Sequence, residues 1–279
     1  MKIEPHQQVP FDASAALVWT RGLAKDFGNG PVLEGIDLDL TAGAMVGLIG
    51  PNGAGKTTLL SLLMGLLRPS AGQVLVRGRP LSVLSRRRLA RIMSLVPQEL
   101  EIGFAFRVRD IVAMGRYPYL GRFQVPGPAD LAAVERAMAL TGVETLAQRT
   151  IDTLSGGERQ RVLIARAIAQ QTPIVLLDEV TANLDLSHQL EVLELASGMA
   201  ADGRLVIAAI HDLAMASRYC DRLLLLADRR LQADGPARAV LTSKNLRRFF
   251  NVEAEIAEAP GGVGLAITPR LPRGDRAEG

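Results

Sequence analysis

Gly50-Pro51-Asn52-Gly53-Ala54-Gly55-Lys56-Thr57-Thr58 joins an almost continuously apolar run at 45–49 (MVGLI) to a leucine-rich run at 59–67 (LLSLLMGLL). The order reads as strand, phosphate loop, helix. The spacing G-x-x-x-x-G-K-[ST] lets the backbone N–H groups of a glycine-rich turn converge on phosphate oxygens, because no Cβ intervenes, and the helix N-terminus adds its dipole. Lys56 is expected to reach the β- and γ-phosphates of a nucleotide, and the Thr57 hydroxyl to ligate Mg²⁺. A bare glycine cluster could merely turn a strand into a helix, but the chain has only four lysines and one stands in register with a threonine.

The 279 residues suffice for one sizeable core and a smaller subdomain, and 48% hydrophobic with 22% charged residues is a globular composition. No apolar stretch reaches the length of about 18 residues that crosses a bilayer, and residues 1–10 hold no apolar segment of a signal peptide. A cytoplasmic protein is expected, reaching any membrane through a partner. The net charge of +3, from 32 basic and 29 acidic residues, is too small for a nucleic-acid footprint. Arg86, Arg87, Arg88 and Arg91 are the best candidate for one, but no aromatic residues interleave with them, and a solvated helix face is the expectation. The single Cys220 excludes an intramolecular disulfide and reads as a small buried apolar residue.

Residues 1–15 are polar and aperiodic, which predicts a loose N-terminal extension. Ile36, Leu38 and Leu40 alternate with polar residues, as in a half-buried antiparallel strand. The runs 45–49, 174–177 (IVLL) and 205–210 (LVIAAI) instead have the pattern of parallel strands covered on both faces. Each is followed by residues able to do chemistry, and open α/β sheets bind ligands beyond the carboxyl ends of their strands. Over about 99–153 the strand signals disappear and Leu131, Val134 and Met138 repeat at helical spacing, predicting an inserted helical subdomain. The segment 241–250 looks helical and closes a domain over 16–250. In the C-terminal extension, 251–279, the tail from Pro260 carries three prolines and five glycines, which argues against a packed core of its own.

A second glycine motif, Leu154-Ser155-Gly156-Gly157-Glu158-Arg159-Gln160-Arg161, opens a helix through Val162, Ala165 and Ile168. Ser155 with Glu158 makes a capping box that needs no ligand. Gly156 and Gly157 remain unexplained by it, since each costs about 1 kcal/mol relative to Ala inside a helix; bare backbone at a helix N-terminus suggests the close approach of an anion. With these two motifs the chain from 17 to about 250 resembles the ATP-binding-cassette (ABC) ATPase family, Gly50 to Thr58 matching its Walker A loop and LSGGERQR its signature. The resemblance implies a P-loop NTPase (RecA-like) core with an antiparallel β subdomain and an inserted helical subdomain. It also implies a head-to-tail homodimer in which each ATP lies between one Walker A loop and the partner's signature.

Asp178 and Glu179 end the strand run at 174–177, where hydrolysis needs one group for the metal and one for the attacking water. Asp178 is expected on Mg²⁺ and Glu179 as general base, roles the resemblance also assigns. The family commonly has Pro after that Glu; Val180 stands here, which puts the stiffness of the turn in question. His211 follows the run 205–210, at a strand end able to contact a γ-phosphate, and matches the family's switch histidine. His6 and His188 lack such placement and receive no role. On the resemblance, Gln98 after the strand 92–96 matches the Q-loop that touches Mg²⁺ or water, and Ala182-Asn183-Leu184-Asp185 the D-loop at the dimer interface. Asp185 equally suits a helix N-cap. Phe27 matches the aromatic that stacks on adenine, with a core position as the alternative.

Three functions fit such a cassette: the energy subunit of a transporter, a soluble ATPase of translation or DNA repair, and a nucleotide switch without turnover. The filled hydrolytic positions disfavour the switch. One cassette without a sustained heptad pattern disfavours the soluble enzyme. The segment Val108-Arg109-Asp110-Ile111-Val112-Ala113-Met114-Gly115-Arg116-Tyr117-Pro118 is similar to the region after the Q-loop in importers of iron-siderophore, haem and cobalamin, and Arg218 to Asp221, Leu241, Thr242, Phe250 and Val252 look like the same subgroup. The expectation is an ATPase at the cytoplasmic face of the inner (cell) membrane, paired with transmembrane permease subunits and, indirectly, a substrate-binding protein, with no nucleic acid. A transporter of another solute is the alternative.

Overall fold

The computed structural model describes residues 16–98, 104–182 and 184–271. The expected N-terminal extension, 1–15, and Asn183 of the D-loop motif lie outside them. The chain begins with β1 (Ala16–Asp26) and β2 (Pro31–Thr41), and β2 buries Ile36, Leu38 and Leu40 while exposing the residues between. After β3 (Ala44–Ile49) and α1 (Lys56–Leu63) come β4 (Ala71–Val76) and β5 (Arg79–Pro80), which complete an antiparallel sheet in the order β2-β1-β4-β5.

A short α2 (Arg86–Leu89) leads to β6 (Met93–Val96). The helical segment then runs through α3 (Val108–Ala113), α4 (Pro128–Leu140) and α5 (Gly156–Ala169), so the helical layer also takes in a helix beyond 153. Along α4, Val134 and Met138 are buried, whereas Leu131 is 42% exposed. The chain continues with β7 (Ile174–Asp178), α6 (Leu186–Ala201), β8 (Leu205–Ala209), α7 (Leu213–Tyr219), β9 (Arg222–Ala227) and β10 (Arg230–Gly235). These complete a six-stranded sheet, β10-β9-β3-β8-β7-β6, parallel throughout except for the β9/β10 pair.

The continuous apolar runs follow from this sheet having a hydrophobic layer on each face. Met45, Val175, Leu177, Val206 and Ala208 face one cluster, with α3 to α6. Their neighbours Val46, Leu48, Ile174, Leu176 and Ile207 face the other, with α1 and the antiparallel sheet. Cys220 is buried in the first cluster, and burial pushes its thiol up to about 12.

Beyond α8 (Ala237–Val240) and α9 (Ser243–Phe250), the strands β11 (Glu253–Glu258) and β12 (Leu265–Arg270) pair as an antiparallel hairpin. The hairpin has no core of its own. It adds Ala254 and Leu265 to the cluster of the main domain, and Leu265 N–H donates to Ser217 Oγ at 2.8 Å.

An arginine network holds the helical layer together and joins it to the chain that enters β6. Gly115 comes so close to α5 that a Cβ there would lie 2.3 Å from the Arg166 carbonyl. That approach seats the buried Arg116, which donates to Asp130 Oδ1 at 2.9 Å, the Ala169 carbonyl at 2.8 Å and Gln171 Oε1 at 2.9 Å. Its guanidinium stacks 4.1 Å from the Tyr119 ring centroid. From the α2 side, Arg87 and Arg91 both donate to the Pro118 carbonyl, at 3.0 and 2.8 Å. Two members of the arginine cluster read as a solvated face are therefore engaged with backbone of the helical segment.

The Arg116 hydrogen bond, followed by that of the Gly127 N–H, holds the Asp130 carboxyl below the ordinary range. A depressed folded-state pKa gives stability that is present above the unfolded value, about 4, and lost as pH falls through the folded value. Arg116→Ala should lower the unfolding free energy by about 1–3 kcal/mol at neutral pH, since it strands a part-buried carboxylate. In urea titrations the gap should narrow as the pH is taken below about 4; a gap independent of pH contradicts the pairing.

Candidate active site

The carboxyl ends of β3, β8, β7 and β6 lie side by side, and each delivers one of the expected residues. At the end of β3, Gly50 adopts φ +154° and a Cβ there would stand 2.0 Å from the Leu226 carbonyl, so only glycine lets the loop leave the sheet here. The loop then folds over Lys56, whose side chain is 4% exposed. Its ammonium donates to the Gly50 carbonyl at 3.1 Å and the Pro51 carbonyl at 3.4 Å, and lies 3.6 Å from Glu179 Oε1.

Lys56 is also the first residue of α1, whose N-cap Gly55 offers no side-chain acceptor and whose first turn holds no acidic residue. The helices α5, α6, α7 and α9 are capped by Ser155, Asp185, Asp212 and Thr242. The first N–H groups of α1 lack this satisfaction, and together with a buried cation they suit a phosphate. Asn52, Gly53 and Ala54 lie between Pro51 and Gly55 in the loop, and Thr58 is the third residue of α1, next to Thr57.

From the end of β7, Asp178 Oδ1 accepts the Thr57 hydroxyl at 3.2 Å. Burial, and next the charge of Glu179, raise the Asp178 pKa, against the opposing Thr57 hydrogen bond. A carboxylate held this way gains from a cation, which lowers the cost of its ionised form. Glu179 begins the turn after the strand with φ +49°, a left-handed conformation that costs a non-glycine residue about 1–3 kcal/mol. Val180 anchors the turn by packing, being 3% exposed within the main cluster, and Ala182 N–H closes it on the Glu179 carbonyl at 3.0 Å. His211, just beyond β8, brings Nε2 to 2.7 Å from Glu179 Oε1. The carboxylate that would act on water is thereby held between an ammonium and an imidazole.

Gln98 stands exposed past the end of β6, on the same sheet edge. Phe27 is 56% exposed, outside the core, and follows the β1 strand whose partner residues Val32 and Leu33 pack on Gly55. The Lys25 ammonium sits 4.8 Å from its ring centroid.

The signature residues are elsewhere. Ser155 N–H donates to Glu158 Oε2 at 2.8 Å and Glu158 N–H to Ser155 Oγ at 3.3 Å, the capping box read from the sequence. A Cβ on Gly156 would meet nothing within 4 Å, so that backbone is open to an approaching group. Among the described residues no hydrogen bond or ion pair joins this motif to Lys56, Thr57, Asp178, Glu179 or His211 within the chain. Asp185 caps α6, accepting the His188 N–H at 3.0 Å, and His188 Nδ1 lies 2.7 Å from the same oxygen. The sequence reading gave His188 no role, although its place three residues after Asp185 was the available signal.

Residues 33–182, more than half of the chain, match the family model described as ABC transporter. The chain is 44% identical over 249 residues to a cobalamin import ATP-binding protein of Halobacterium salinarum, covering 89% of this chain but only 62% of that relative. It is 47% identical over 245 residues to a hemin import ATP-binding protein of Nocardia farcinica, covering 87% of this chain and 84% of the relative. Among solved structures, a chain of an inward-facing metal-chelate type ABC transporter superposes with a TM-score of 0.80 at 30% identity, covering 92% of this chain and 98% of the other. A dimeric ABC cassette in a post-hydrolysis state with ADP and Pi superposes with a TM-score of 0.70 at 25% identity, covering 79% and 99%. The chain belongs to the ABC transporter family and has the fold of its ATP-binding cassettes.

Proposed function

We propose that this chain hydrolyses ATP to drive a membrane importer of a metal chelate, of the haem, cobalamin or iron-siderophore class, as a head-to-tail homodimer on separate permease subunits. The observation that carries the proposal is the convergence of Lys56, Thr57, Asp178, Glu179 and His211 on one sheet edge, while the open signature backbone belongs to another part of the chain. Lys56 and the α1 N-terminus bind phosphate, Phe27 stacks on the base, and Ser155, Gly156 and Gly157 complete the partner's site together with Asp185. Glu158 holds the Ser155 loop in shape. The cargo class rests on the relatives named above.

Among the described residues no cluster of three His, Cys, Asp or Glu side chains is arranged to hold a metal alone. Thr57 and Asp178, with Gln98 past the end of the adjacent strand β6, fit Mg²⁺ brought in with the nucleotide, and the ion would draw charge off the phosphate oxygens. Glu179 orients and deprotonates water, and His211 fixes the carboxylate that does so.

No described helix is long and apolar enough to cross a membrane. The permease contact is assigned to an open groove of about 440 Å³ between the sheet and the helical layer, lined by Met64, Leu95, Tyr117 and Arg166. The segment between β6 and α4 also carries the exposed aromatics Phe104, at 76%, and Phe123, at 94%. On this reading the chain works at the cytoplasmic face of the inner membrane, with a substrate-binding protein acting on the far side.

Glu179→Gln should keep ATP binding but cut turnover at least ~100-fold, about 2.7 kcal/mol at roughly 1.36 kcal/mol per decade. Near-normal steady-state hydrolysis by that variant removes Glu179 from the role of base. The chain should copurify with the permease encoded beside it, and cells lacking it should lose uptake of one chelate of the stated class. Recovery with ribosomes or DNA instead, and unchanged uptake, would overturn the transport reading.

A further inference from the structure

We infer that His188 is a positioning residue: it fastens the Asp185 loop to the signature loop of the same chain, so that both approach the partner's nucleotide as one unit. The inference rests on the dimer reading proposed above. Asp185 is 67% exposed on its side chain, which a free surface aspartate would leave mobile. Here one oxygen, Oδ1, accepts both the backbone N–H and the ring Nδ1 of His188. With a carboxylate as acceptor, Nδ1 must carry the ring proton.

The ring also packs on the signature. A Cβ built on Gly157 would lie 3.5 Å from the His188 Cγ and 3.6 Å from its Nδ1, ordinary van der Waals distances, so the imidazole stands directly against this position of the signature. One turn further along both helices, Arg161 of α5 reaches Glu191 of α6 at 3.5 Å, a second tie between the same two surfaces. An N-cap needs only the backbone N–H of His188. The ring contact with Asp185 and its packing on Gly157 go beyond capping, and they connect the two loops that otherwise share no hydrogen bond among the described residues.

The test uses the Glu179→Gln background, in which slowed hydrolysis should let ATP-bound dimers accumulate, and follows dimerisation by analytical ultracentrifugation. Adding His188→Ala should raise the ATP concentration needed for half-dimerisation about tenfold, equivalent to about 1.4 kcal/mol. Binding of a fluorescent ATP analogue to dilute monomer should stay within about twofold, well under 1 kcal/mol. His188→Asn, whose side-chain N–H can take the place of Nδ1, should restore most of the loss. In ¹⁵N spectra of the parent, His188 should show the Nδ1–H tautomer. If the Glu179→Gln parent stays monomeric with ATP, the dimer reading fails and this inference with it. If the parent dimerises and His188→Ala dimerises at the same ATP concentration, or loses monomer binding equally, only the inference falls.

Discussion

A lysine ammonium almost sealed from water is the constraint on which the rest of the structure turns. Isolating a cation in this way is costly unless oxygen atoms surround it. Lys56 meets the requirement with carbonyls of its own loop and with Glu179. That arrangement requires β3 to be central, so that the loop leaves the sheet between β8 and β9, and it requires Gly50 to pass against the Leu226 carbonyl. It also requires β7 to end nearby, because Glu179 supplies the only opposite charge within ion-pair distance of Lys56 among the described residues. The twisted parallel sheet is thus the means of bringing three loops, distant in sequence, to one buried charge.

Much of this could be read from residues alone, for identifiable reasons. The strands β3, β7 and β8 were legible because burial on both faces writes itself as an unbroken apolar run. Ile36, Leu38 and Leu40 were legible because one-sided burial writes itself as alternation. The capping box was legible because it is local. What stayed hidden depends on neighbours far along the chain. The contact of His211 with Glu179 exists because β8 pairs with β7. Arg116 looks like any surface arginine until Gly115 draws it against the end of α5. The glycine- and proline-containing tail pairs as β11 and β12 because the main domain lends it a surface, a debt no composition records. The left-handed Glu179 has no local signature either, since glutamate rarely adopts that conformation and is held there by the buried Val180 that follows.

The division of the site explains why one chain should be insufficient. The groups to which phosphate binding and water activation are assigned are assembled within the chain, but the signature backbone is capped, open and separate from them. An anion bound only at Lys56 would leave one side in contact with water, where the electrostatic advantage of the loop is weakest. On the proposed dimer, closing a second signature motif over it would remove that water, and the same closure would move the helical layer that carries the groove assigned to the permease. Arg91, just before β6, ties that layer to the sheet edge through the Pro118 carbonyl, and Arg116 holds the layer itself together. Hydrolysis and movement therefore share their connecting parts.

The claim that the loop from Gly50 to Thr58 is half of a site is tested most directly by subunit complementation. One variant carries Lys56→Ala, and the other a bulky Ser155→Phe that blocks the signature. Each alone should be inactive. Mixed in equal amounts, half of the dimers would be mixed and would hold one intact site of two, so hydrolysis should recover to about a quarter of the parent rate for a two-fold symmetric pair. No recovery on mixing, from two variants that each fold and associate, would contradict a site shared between copies and return the chemistry to a single chain.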